Sequence, residues 1–98
     1  MVRGRLVLHE KVTDDLGNTV EMKIWQVPVL EDKPHGYKYS LVYIVGGERV
    51  IGYDNAEEKG DHRHFMDKES TYPFRGLRRL VRDFEADVQS YKEKCHES

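Results

Sequence analysis

One cysteine, three prolines and one tryptophan are all that this chain of 98 residues contains of those types. Cys95 alone excludes an internal disulfide and suits a reducing, cytoplasmic compartment. No apolar run outlasts Leu41-Val42-Tyr43-Ile44-Val45, far short of the ~20 residues of a membrane helix. Arg3 and Arg5 precede only Leu6-Val7-Leu8 before His9 and Glu10 intervene, so no secretory leader is expected. Neither charge sign dominates: 16 Lys+Arg against 18 Asp+Glu give a formal net charge of −2. That excludes a globally basic coat for nucleic acid, and any polyanion site must be a local patch. With hydrophobic content at 38% and charged content at 35%, the core must be thin. A single domain over 1–98 follows, with one sheet face covered by one helix.

What is present begins with strands. Residues 5–13 are rich in β-branched and apolar types and end at Asp14-Asp15-Leu16-Gly17-Asn18, which is turn chemistry. Residues 19–27 alternate, with Val20, Met22 and Ile24 on one face and Glu21, Lys23, Trp25 and Val27 on the other. A loop through Pro34-His35-Gly36 leads to 37–46, where Tyr37, Tyr39, Leu41, Tyr43 and Val45 share a face. His35 reads as an ordinary loop histidine, and the tyrosines as residues that favour strands rather than as a base-stacking platform. Gly46-Gly47 turns the chain into 48–54. Four strands on short turns make an antiparallel meander.

The period then changes. Leu77, Leu80, Val81, Phe84, Val88, Tyr91 and Cys95 recur at helical spacing, predicting one long C-terminal helix over 76–94. The fold class expected is α+β, a four-stranded antiparallel meander packed against that helix. Arg75, Arg78, Arg79 and Arg82 crowd the helix start, where cations oppose the macrodipole. They read either as phosphate contacts or as a solvated face neutralised by Asp83, Glu85 and Asp87.

Between the two regimes lies residues 55–75, expected as a loop carrying Asp61-His62-Arg63-His64. Imidazole is the one side chain that ordinarily titrates between about pH 5 and 8. Two imidazoles at i and i+2 of an extended segment point to the same side. Cleaving RNA without a metal needs a base for the 2′-OH, an acid for the departing 5′-oxygen and a cation for the phosphoryl charge. The candidate catalytic set is therefore His62, His64, Arg63, Asp54 and Tyr53, with Asp54 or Asp61 fixing a histidine tautomer. Lys59, Arg75, Arg78 and Arg79 are the candidate RNA-binding cations. No cofactor is expected. Two rivals stand beside this reading: a metal site built on His-x-His and an aspartate, and histidines that merely hydrogen-bond their loop.

The run Tyr53-Asp54-Asn55, then Lys59-Gly60-Asp61-His62-Arg63-His64, resembles the signature of the TumE-type toxin family. The likeness continues through Leu8-His9-Glu10-Lys11, Val20-Glu21-Met22-Lys23-Ile24-Trp25 with Pro28, and His35-Gly36-Tyr37-Lys38-Tyr39. It extends past Tyr72, Phe74 and Leu80 to Asp83-Phe84 and Ala86-Asp87-Val88. Phe65-Met66 stands where a smaller, glycine-containing turn is common, and Glu85 where an aromatic is expected. The resemblance implies a ribonuclease-type toxin that inhibits translation, held in check by a helix-turn-helix antitoxin from the same operon. Self-association is a lesser expectation. The rival function is a non-catalytic module whose histidine segment docks a partner protein. Trp25 reads as an interface or core anchor, and His9 as a strand histidine paired to its neighbour.

Overall fold

Alternation along the strands decides which side of the sheet is covered. The computed structural model describes residues 4–29, 34–55 and 60–96. Strands β1 (Arg5–Thr13), β2 (Thr19–Gln26), β3 (Tyr37–Val45) and β4 (Glu48–Asp54) follow in order. Then come β5 (His62–Phe65), β6 (Lys68–Thr71) and the helix α1 (Leu77–His96). The described strands form one sheet in sequence order, every neighbour antiparallel. Met22, Ile24, Tyr39, Leu41, Tyr43, Ile51 and Tyr53 are buried on one face, where Leu80, Phe84 and Val88 of α1 close over them. The tyrosine row thus belongs to the core and offers no stacking platform.

The sheet has six strands, which corrects the expected four, and the expected loop over 55–75 contains a hairpin. The reason lies in its side chains. In β5, Arg63 and Phe65 alternate with His62 and His64, so the period is 2, yet neither face reads as apolar. In β6, Lys68-Glu69-Ser70-Thr71 is exposed throughout. A charged, short edge strand of this kind resists pairing with other chains but carries no hydrophobic signal. The turn between them places Met66 at a φ of 59°, a left-handed conformation uncommon for residues other than glycine.

Polar anchors set the ends of the sheet. The Asp14 carboxylate accepts the backbone N–H of Leu16 and Asn18 at 3.0 and 2.9 Å, the local bond that makes Asp a turn former. The Tyr43 hydroxyl donates to the same carboxylate at 2.6 Å. Burial raises the Asp14 pKa, but the bonds from Tyr43, Asn18, Leu16 and Lys92 outweigh it and hold it at about 2. Burial, with Asp14 as acceptor, pushes the Tyr43 phenol up to about 12. At the other end Asn55 is fully buried. Its side chain accepts from Tyr39 N at 2.9 Å and donates to Tyr37 O at 2.7 Å, tying the end of β4 to β3.

Candidate functional site

The period of 2 in β5 sends its residues to opposite sides of the sheet. Arg63 lies across from Tyr53 in the β4–β5 register, on the helix side. Its Nε and Nη2 donate to the two Asp87 oxygens at 2.7 and 2.8 Å, a bidentate pair. The Tyr53 hydroxyl donates to Asp87 at 2.6 Å and accepts from Arg63 Nε at 3.0 Å. Burial first, and Asp87 second, raise the Tyr53 pKa, and hydrogen bonding to Asp87 raises that of Arg63. Beside them the Tyr72 hydroxyl donates to Asp83 at 2.6 Å, and Arg79 donates to the same carboxylate at 3.1 Å. Tyr53, Arg63, Tyr72, Asp83 and Asp87 border a recess of about 260 Å³. The network is a strap between helix and sheet, and Arg63, Tyr53 and Arg79 are all committed to it.

His62 and His64 stand on the other, helix-free face. Two cross-strand rows define that face. One runs His9, Lys23, Ser40, Asp54, His62, Thr71; the next runs Lys11, Glu21, Val42, Gly52, His64, Glu69. Glu69 of β6 reaches both imidazoles, with Oε1 at 3.5 Å from His62 Nδ1 and Oε2 at 3.8 Å from His64 Nε2. The His62 side chain is 14% exposed and that of His64 25%. His62 Nε2 is buried and makes no hydrogen bond, an arrangement rare enough in folded proteins to require an explanation.

Opposite His64 sits Gly52, and the room it leaves is taken by Arg49. A Cβ at Gly52 would meet Arg49 Cδ at 3.0 Å. The Arg49 guanidinium lies 3.6 Å from Asp54, itself the cross-strand partner of His62. The open face therefore brings together His62, His64, Asp54, Glu69 and Arg49. Of the five residues expected to act together, it keeps three and sends Arg63 and Tyr53 to the far side.

Asp61 holds a different histidine from the two expected. Its Oδ2 accepts from His35 Nε2 at 2.9 Å and from the Tyr39 hydroxyl at 2.6 Å. His35 Nδ1 in turn accepts the backbone N–H of Tyr37 at 3.2 Å, and the ring stacks on Phe74 with centroids 3.9 Å apart. Both ring nitrogens are engaged, so His35 is a clamp at the start of β3 and not a free base. Burial, with Asp61 as acceptor, raises the Tyr39 pKa. Reading His35 as an ordinary loop residue missed this bond. Its only local signal was the neighbouring Pro34 and Gly36.

Arg75, Arg78 and Arg79 lie at or near the start of α1, across the sheet from the histidines, while Lys59 lies outside the described residues. Glu69 and Arg49 are further site residues that the sequence pattern does not single out. Glu69 carried no signal because its strand is polar on both faces. Arg49 had an indirect one: a glycine inside a strand, Gly52, often marks close approach of another group. Among the described residues, no three His, Cys, Asp or Glu side chains converge as a metal-ligand set.

Compared with known proteins, the chain matches the family model described as Toxin TumE over residues 2–92. No curated protein and no solved structure matches it. No described helix is long and apolar enough to cross a membrane.

Proposed function

The chain belongs to the TumE toxin family, and from that premise we propose that it is a metal-independent endoribonuclease whose toxicity comes from cleaving RNA. The carrying observation is the pair His62 and His64 side by side on the uncovered sheet face, bridged by Glu69. One imidazole takes the proton of a ribose 2′-OH as O2′ attacks phosphorus. The other protonates the 5′-oxygen as the P–O5′ bond breaks. The products are a 2′,3′-cyclic phosphate and a free 5′-OH, and each proton transfer contributes about 10²–10⁴-fold.

The cation on that side is Arg49, which replaces Arg63 in the role of stabilising charge on the phosphoryl oxygens. Asp54 holds Arg49 along β4, the strand that carries both. Glu69 faces both rings at ion-pair distance, 3.5 and 3.8 Å from the nitrogen each turns toward it, and so favours whichever imidazole carries the extra proton. His62 Nε2, shielded and unpaired in the free protein, is the atom with an unmet hydrogen bond for substrate to satisfy. Seating RNA over β5 must uncover it. His64 is the more accessible ring and makes first contact.

Mutation tests this directly. His62→Ala and His64→Ala should each abolish RNA cleavage and relieve growth inhibition while leaving the fold intact. Full toxicity of the double variant would defeat the catalytic reading and leave a non-catalytic binding module. Activity lost in chelator and restored by zinc or manganese would hand the site to a metal.

The family also implies a partner, and we propose a helix-turn-helix antitoxin encoded beside this chain. Its docking surface is the groove of about 580 Å³ between β1 and α1, lined by Val7, Leu8, Ile24, Leu77 and Val81. β1 is the sheet's edge, and Leu6 and Val7 are half-exposed along it. A partner segment pairing with that edge fills the groove as well. Arg78 and Arg82 rim the groove against the single acid Glu85, and this surplus of positive charge favours an acidic flank on the segment.

A further inference from the structure

If the chain cleaves RNA at His62 and His64, the helix arginines are on the wrong side of the sheet to hold the substrate. The strand must then be held by what the open face offers. Among the described residues, four cations lie on that face: Lys11, Lys23, Lys38 and Arg49. The acids among them are matched locally. Glu21 accepts from His9 at 3.1 Å and lies 3.8 Å from Lys23, and Asp54 faces Arg49. Hydrogen bonding from His9 first, with the nearby lysines, lowers the Glu21 pKa despite some burial. One large aromatic shares the face. Trp25 pairs with Lys38 in the β2–β3 register, and Lys38 Nζ lies 5.6 Å from its ring centroid.

We infer that this face is the track for a single-stranded RNA, with Trp25 stacking a base a few nucleotides from the bond cleaved at His62 and His64. The inference rests on the ribonuclease reading for its cleavage end only. From β2 to β5 is three strand spacings, and Trp25 is one two-residue step from the row of His62. The separation is roughly 15 Å, a span of a few nucleotides. A tryptophan ring with lysines around it is the combination that holds single strands without reading sequence, because every base has a π-face and every nucleotide a phosphate. A duplex keeps its bases stacked inside and offers Trp25 nothing to stack on.

The single tryptophan is its own probe. A short RNA with every ribose 2′-O-methylated has no free nucleophile and is not cleaved, so binding is read without chemistry. Titrated into the full chain, it should quench Trp25 fluorescence, and the affinity should fall as salt rises. The same sequence as a duplex should bind at least about ten-fold more weakly. By anisotropy of a fluorescein-labelled single strand, Trp25→Ala should weaken binding about ten-fold or more. Lys38→Ala should weaken it several-fold and flatten the salt dependence by about one ion. Arg75→Ala and Arg78→Ala should change it less than two-fold. Circular dichroism keeps the comparison to folded variants, and Lys38→Ala, at an exposed position, stands if Trp25→Ala does not fold.

The inference is overturned if the single strand leaves Trp25 unquenched. Affinity that survives loss of Trp25 or Lys38 but falls with Arg75 or Arg78 also overturns it, because the track is then on the helix side. Binding through Trp25 by a chain whose double histidine variant still cleaves RNA would sink the catalytic reading and keep the surface.

Discussion

At the scale of single residues, the functional face depends on groups that look unremarkable in sequence. Gly52 is one. Its missing side chain lets Arg49 fold across the strand beside Asp54. Gly52→Ala should push the flexible end of Arg49 away, with little change in stability. RNA cleavage should fall at least about ten-fold, toward the about 10²–10³-fold loss expected of Arg49→Ala. Cleavage rates and a denaturation curve on the same preparation check both halves. Asp14 is another. Its folded pKa, held at about 2 against an ordinary 3.8, lies below its unfolded value. Its stabilisation is therefore present above about pH 4 and is lost as the pH falls through 2. Asp14→Asn should flatten the acid limb of stability against pH, measured by denaturant midpoint at intervals from pH 5 to 2.

At the scale of elements, the strap between α1 and β5 carries more stability than the exposed charges around it. Asp87 accepts two bonds from Arg63 and one from Tyr53, and its side chain is 14% exposed. Removing it strips Arg63 of its bidentate partner and Tyr53 of its short acceptor, leaving only their mutual 3.0 Å bond and a 3.4 Å contact from Tyr53 to the Asp83 carbonyl, so Asp87→Ala should cost about 2–3 kcal/mol. Arg79→Ala breaks an exposed i,i+4 pair and should cost less than about 1 kcal/mol. Urea denaturation of the two variants separates them, and equal losses would mean that the strap is not structural. The same elements explain what the sequence made legible. Strands β1 to β4 and the helix were readable because Val20, Met22 and Ile24, or Leu80, Phe84 and Val88, repeat an apolar residue at the period of their structure. The hairpin of β5 and β6 was not, because both its faces are polar and Lys68 to Thr71 bury nothing. The histidines' shared side followed from their spacing alone. The loss of Arg63 to the other face follows from the same period of 2, once the segment is known to be a strand. Glu69, Arg49 and the His35–Asp61 bond depend on register between strands far apart in sequence, which no local pattern encodes.

For the whole molecule, the proposed function divides two tasks between the sides of the sheet. The helix side holds the core, the strap and the apolar groove along β1. The open side holds the histidines, Glu69, Arg49 and Trp25. On the proposed function, partner control and chemistry are separable. Val7→Asp should weaken binding of the proposed helix-turn-helix antitoxin at least about ten-fold, measured by titration calorimetry, and leave RNA cleavage unchanged. A loss of cleavage with intact partner binding would reverse the assignment of the faces. The claim on which all this turns is that His62 and His64 cleave RNA by proton transfer alone. The most direct measurement incubates purified chain with a defined RNA in excess chelator and analyses the product ends. The account predicts undiminished cleavage that leaves 2′,3′-cyclic phosphate and 5′-OH ends, with a bell-shaped pH profile, and no cleavage by the variant carrying His62→Ala and His64→Ala. Intact RNA with the folded wild-type chain, 5′-phosphate products, or full cleavage by the double variant would contradict it.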